Sequence, residues 1–250
     1  AGQNSLTKDE YTFTGWTKSH DISGTVYAAG SEYTVTENTT FLANWKSIYA
    51  DAEVVVRLNG VPMGNFEVKF KSKASGGEFL AAYEDGMYTS RLDNDGEYEI
   101  FINGIPVGVL DTDDLTRKTF DYYTVTYYGN GNDDGQADIE KTVLSNTPYA
   151  LIGNTYSKTG YDFVAWNTNQ NGTGSRKQAG DEVRITGETG FYAMWDARNY
   201  LVTYDVNGGN ELPENIRTKY IDFGERYNQL PTPTRTGYNF LYWTLGDKMI

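Results

Sequence analysis

The sequence predicts a mainly β chain made of several small modules, and three observations carry that prediction. An alternating aromatic stretch ending in tryptophan occurs three times: Tyr11-Thr12-Phe13-Thr14-Gly15-Trp16, Tyr161-Asp162-Phe163-Val164-Ala165-Trp166 and Tyr238-Asn239-Phe240-Leu241-Tyr242-Trp243. The interval from Trp16 to Trp45 equals that from Trp166 to Trp195, 29 residues, and Trp166 precedes Trp243 by 77. A period of 77 in a 250-residue chain points to tandem units smaller than an ordinary domain. Between the repeats, Asn59-Gly60, Asp85-Gly86, Asp95-Gly96 and Asn103-Gly104 supply the positive φ angles that tight β-hairpins require.

Taken in order, residues 1–47 read as the C-terminal half of a repeat. An alternating strand runs from Tyr11 to Trp16, a polar loop follows, and Phe41-Leu42-Ala43-Asn44-Trp45 forms a second strand. Residues 48–122 contain no tryptophan, and their succession of hairpin signals predicts an antiparallel β-sandwich. No proline or glycine separates Phe120 from Tyr127, so a stiff junction is expected there. Residues 123–198 form the complete repeat: a strand at Thr124–Tyr128, a turn of Gly, Asn and Asp, and a strand near Ile139–Leu144. The aromatic strand, a loop around Asn171-Gly172 and the closing strand Phe191–Trp195 follow. Residues 199–250 start the unit again with Val202-Thr203-Tyr204-Asp205 and Asn207-Gly208-Gly209, and reach Trp243. Helical pattern is scarce. Phe223–Leu230, before Pro231, and its counterpart Ser145–Ile152 are the best segments, so one short helix per repeat is the most expected. Both ends are read as cuts through a longer protein, or as processed termini.

Composition excludes several classes of function. The net charge of -13 disfavours nucleic acid and anionic membrane surfaces, which need clustered Lys and Arg. No apolar run is long enough to insert in a bilayer. With no cysteine there is no disulfide, thiolate metal site or cysteine nucleophile, so small modules must stabilise themselves by burial. Aromatic residues, 15% of the chain, supply that burial.

Aromatic strands can also stack on sugars, so each is weighed against a core role. Period-two alternation places Tyr161, Phe163 and Ala165 on one face, where a core is normally built. The tryptophans at the strand ends, Trp16, Trp166 and Trp243, are therefore the candidate ligand-facing aromatics, with Trp16 and Trp166 beside polar loops expected to be the more exposed. Asn130-Gly131-Asn132-Asp133-Asp134-Gly135 resembles the opening of a calcium loop, but Lys141 stands where a bidentate carboxylate is needed, so a hairpin loop is favoured. Asp111-Thr112-Asp113-Asp114 reads as a solvated turn. Gly129-Asn130-Gly131 opens no helix and makes no nucleotide cradle. His20, beside Asp21, has no catalytic context, and Glu84 and Asp85 are turn neighbours that point apart. No catalytic residue, cofactor or metal is assigned, and the chain is not expected to be an enzyme.

From Val202 to Gly209, then from Leu230 to Phe240, the sequence resembles the Listeria-Bacteroides repeat, the internalin B-repeat family. The complete copy matches the same plan, including Lys158-Thr159-Gly160-Tyr161 and Tyr192-Ala193-Met194-Trp195. The resemblance implies small β-grasp modules, ubiquitin-like or SUMO-like, in tandem on secreted and wall-attached bacterial proteins. Two departures stand out: Glu10 replaces the glycine seen at Gly160 and Gly237, and Leu241-Tyr242 precede Trp243 where the family favours a small residue. Residues 48–122 resemble the prealbumin-like or carboxypeptidase-regulatory-like sandwich, on Val56–Pro62, Gly86-Met87-Tyr88 and Gly96–Gly104. Related pilin-type sandwiches form a Lys-to-Asn isopeptide bond; the first strand here offers Arg57 and no lysine, so none is expected.

The expected function is a non-catalytic stalk or adhesin segment of a bacterial cell-surface or secreted, extracellular protein. The alternatives are a module that binds a glycan or a surface protein of a host or neighbouring cell, and a filament subunit that self-associates by strand complementation.

Overall fold

The computed structural model describes residues 6–20, 24–94, 96–114, 117–227 and 229–250. The opening Ala1–Ser5, Asp21 beside His20, Asp95 of the third hairpin signal, and Asn228 within the expected helix lie outside the described residues. The chain is mainly β, with several separate sheets, and its contacts divide it into a unit ending at Tyr123 and a unit starting at Thr124. Among the described residues no helix is long and apolar enough to cross a membrane.

The first unit opens with a three-stranded antiparallel sheet in the order Val26–Tyr27, Tyr11–Lys18, Phe41–Ser47. A sandwich follows. One of its sheets has the order Ile105–Asp111, Glu97–Ile102, Val68–Ser72, Glu78–Leu80. The other orders Lys118–Tyr122, Tyr49–Leu58, Met87–Asp93 and Ala82–Glu84, with Val61–Pro62 folded back on Tyr49–Leu58. Strict alternation explains the core between them: Ala52, Val54 and Val56 point inward from one sheet, and Val68, Phe70, Tyr98, Ile100 and Ile102 from the other. The predicted hairpins are present, because both residues of Asn59-Gly60, Asp85-Gly86 and Asn103-Gly104 adopt positive φ. One pairing departs from the expected antiparallel pattern. Lys118–Tyr122 runs parallel to Val54–Leu58, whereas every other sandwich pairing among the described residues is antiparallel. The reason is topological: the chain crosses between the sheets, by way of Ile105–Asp111, before its last strand returns beside the first.

In the second unit the complete repeat has a mixed sheet. Its first strand, Val125–Tyr128, is the later part of Lys118–Tyr128 and pairs parallel with the closing strand Thr189–Ala197. The closing strand pairs antiparallel with the aromatic strand Tyr161–Asn167, and Ile139–Leu144 pairs with the first strand on its other side. The order second, first, fourth, third, with first and fourth parallel, is that of a β-grasp sheet. Neither expected helix forms. Residues 145–152 hold a turn and the strand Pro148–Ala150, paired with Glu182–Arg184, because Tyr149 and the buried Leu151 are drawn into the side of the core. Residues 223–227 are non-helical since Gly224 has φ +82°, and the helix lies instead at Glu214–Arg217, just after Pro213.

A single turn introduces each aromatic stretch. The N–H of Tyr11, Tyr161 and Tyr238 donates to the carbonyl of Lys8, Lys158 and Arg235, at 3.1, 3.0 and 3.0 Å. The residue before each tyrosine has positive φ: Glu10 65°, Gly160 79°, Gly237 81°. A positive angle at only the third turn position is the type II turn, which explains the glycines and marks Glu10 as a strained exception. The Glu10 carboxylate pairs with Arg91.

Candidate functional site

The site is built from the aromatic stretch outward. In the complete copy Phe163 lies opposite Trp195, yet Ala165 lies opposite Met194, so Val164 is an extra residue in a β-bulge. The first copy has the same bulge between Phe13 and Gly15. The bulge resets the alternation by one residue. Trp166, which strict alternation would turn away from Phe163, is rotated onto the same side as Phe163 and is 0% exposed. The expectation that Trp166 faces solvent or ligand is therefore corrected: it is the centre of the core.

Trp166 meets Tyr127 edge-on at 4.8 Å, Phe163 at 5.1 Å and Tyr156 at 6.3 Å. Its indole N–H donates to the Ile152 carbonyl at 2.9 Å, so the polar edge is satisfied within the module. The Tyr127 hydroxyl donates to that of Tyr149 at 3.1 Å, and burial pushes its pKa well above the usual phenol range.

The other two candidates keep half of this arrangement. Phe13 meets Trp16 at 5.2 Å and Phe240 meets Trp243 at 5.4 Å, repeating the Phe163–Trp166 contact. Trp243 also contacts Tyr204, the counterpart of Tyr127, at 5.0 Å and donates its N–H to the Pro231 carbonyl at 2.7 Å. Both indoles fall short of the burial of Trp166; Trp243 is half-buried. In the last copy the aromatic stretch does not become a strand, and two causes are visible. The first strand Asn199–Thr203 has only Thr218–Asp222 beside it among the described residues. The position that Ala165 fills without exposure carries Tyr242, too large for it and 51% exposed, next to Leu241 at 80%. The result is an open cleft of about 660 Å³ lined by Tyr204, Leu230, Phe240, Leu241 and Trp243. No spacing in the sequence announced this cleft.

The acidic loop has a structural occupation. Asp133 accepts the Thr159 N–H at 2.9 Å, while Asp134 accepts the N–H of Ser157 at 2.6 Å and of Gln136 at 3.0 Å. The Gln136 N–H and the Asn132 amide, together with the Ser157 N–H and hydroxyl, hold the Asp134 pKa down to about 2. The loop thus ties residues 130–136 to the turn before the aromatic strand. Asp111 accepts the Asp113 N–H, and Asp113 pairs with Lys46. His20, at φ 66°, and Asp85, at φ 49°, occupy turns. Among the described residues no three His, Cys, Asp or Glu side chains converge on a point that could hold a metal.

A family model described as the Listeria-Bacteroides repeat domain matches residues 3–44, 123–194 and 200–249, more than half of the chain. The chain belongs to the Listeria-Bacteroides repeat family. The three matched segments are those that carry the three aromatic stretches, and the sandwich lies between the first two. A "Putative Gly-rich membrane protein" of Evansella cellulosilytica is 29% identical over 64% of this chain and 19% of its own length. A "Putative membrane protein" of the same organism is 25% identical over 86% of this chain and 32% of its own length. The repeat chain thus spans about a fifth and about a third of these two relatives. No solved structure matches it.

Two outcomes are expected. Trp166→Ala should destabilise the second unit by about 3–5 kcal/mol, and Trp243→Ala by clearly less, in denaturant titrations; equal losses would contradict the burial described. Asp134→Asn should lower the melting temperature at neutral pH. A depressed carboxylate contributes stability that is fully present above the unfolded pKa of about 4 and lost as pH falls through about 2. Melting curves of variant and parent should therefore converge in that window, and a gap independent of pH would exclude the carboxylate as its cause.

Proposed function

We propose that the chain is a non-catalytic repeat segment, a stalk or adhesin part, of a bacterial cell-surface or secreted protein. One observation carries the reading: in the complete copy the tryptophan of the aromatic stretch, Trp166, is wholly buried in the module core and not turned to a ligand. The names of the two relatives support placement at a membrane or surface. The repeats are taken to be of the internalin B-repeat kind, with modules at 1–47, 48–122, 123–198 and 199–250. The intervening sandwich is taken as prealbumin-like, a reading supported by its parallel first and last strands. Antibody raised against residues 123–198 should label intact cells of the producing bacterium. Label appearing only after lysis would overturn the placement.

A second reading, a binding module for a glycan or a protein of a host or neighbouring cell, is favoured by the open cleft and its half-buried Trp243. On that reading Trp243→Ala abolishes binding on a glycan or surface-protein array while circular dichroism stays unchanged. An array blank with the parent chain removes it.

A further inference from the structure

Tension applied to the ends of a module acts first on its first and last strands. If those strands are adjacent and parallel, the two pulled ends lie at opposite ends of the pair. The load then runs along the strands and is shared by all their ladder hydrogen bonds at once. If the pulled ends lie at the same end of the pair, the bonds break in succession.

Both described complete modules have the first arrangement. In the sandwich the first strand, Tyr49–Leu58, pairs parallel with the last, from Lys118 opposite Val54 to Tyr122 opposite Leu58. The Asn59 N–H extends this ladder to the Tyr122 carbonyl at 2.9 Å. In the complete repeat the first strand pairs parallel with the closing strand, from Val125 opposite Thr189 to Tyr128 opposite Tyr192. Ile139–Leu144 flanks one of these two strands and Tyr161–Asn167 the other, so the pair lies inside its sheet.

Side chains bind the same pairs across the ladder. Arg57 is directly opposite Asp121 and donates two bonds to its carboxylate, at 2.6 and 2.9 Å. Tyr127 stacks on Phe191 opposite it, with centroids 5.6 Å apart, and Tyr128 on Tyr192 at 4.5 Å with planes only 13° apart. Sliding either pair by one residue would turn every side chain to the wrong face, and sliding by two would separate these partners. By contrast, the first three-stranded sheet and the pair Asn199–Thr203 with Thr218–Asp222 are antiparallel throughout.

We propose that the sandwich and the complete repeat are tension-bearing elements, each held by a parallel clamp of its first and last strands that is loaded in shear. The clamp is a property of each module and does not depend on where the protein is displayed, which the antibody labelling tests separately.

The absence of cysteine lets handles be attached to the full chain at chosen residues for single-molecule force measurement. In the sandwich, Asp51→Cys with Tyr123→Cys pulls in shear, and Asp51→Cys with Arg117→Cys pulls the same strands apart from one end. In the repeat, Thr124→Cys with Asp196→Cys and Thr124→Cys with Glu188→Cys make the same comparison. Because each comparison shares one handle, a general weakening of the fold by that handle lowers both forces and leaves the contrast. At matched loading rates the shear geometry should rupture at a force at least about twofold higher, since its ladder bonds are loaded together. Arg57→Leu in the sandwich should reduce the shear force and leave the one-ended force nearly unchanged. Equal rupture forces in the two geometries overturn the clamp in that module, and a shear force unaltered by Arg57→Leu removes the ion pair from it.

Discussion

The indole of Trp166 is where the two halves of a repeat meet. Tyr127 and Tyr156 come from the segments before the aromatic strand, Phe163 from that strand itself, and all three rings contact the one buried side chain. A module of this size, without cysteine, has few other ways to offset the conformational entropy of folding. The flanking copies illustrate the dependence. Among the described residues Trp16 lacks partners equivalent to Tyr127 and Tyr156, Trp243 lacks a closing strand, and both are left less enclosed with only part of the cluster around them.

Two backbone devices put the indole there. The type II turn before each aromatic stretch sets the direction of entry, and the bulge after Phe163 brings Phe163 and Trp166 to one side. The small residue before tryptophan belongs to the same requirement. A Cβ at Gly15 would meet Val26 at 2.7 Å, and Ala165 is wholly enclosed, whereas Tyr242 at that position stays outside and its stretch forms no strand there. The last copy thus leaves Tyr242 exposed where the complete copy encloses Ala165.

Much of the fold was legible. The tryptophan spacing marked the repeat because one β unit repeats its sequence positions at a constant interval. Asn-Gly and Asp-Gly marked the sandwich hairpins because few other pairs adopt positive φ twice in succession. The acidic loop read correctly as a loop; what its carboxylates hold, the N–H groups of Ser157 and Thr159, lies more than 20 residues away in the chain. Helices were misplaced because a short amphipathic pattern is outweighed by tertiary burial, as at Leu151, or broken by one glycine, as at Gly224.

By itself the sequence determined the mainly β class, the repeat, its tight turns and the absence of cysteine, since each is written in local pattern or composition. Only the tertiary structure decided that Trp166 faces inward, that the first and last strands of both modules run parallel, and that the last copy holds an open cleft. Each of these depends on which strand lies beside which and in what register. Hydrogen bonds between residues distant in sequence set that, and no local alternation encodes it.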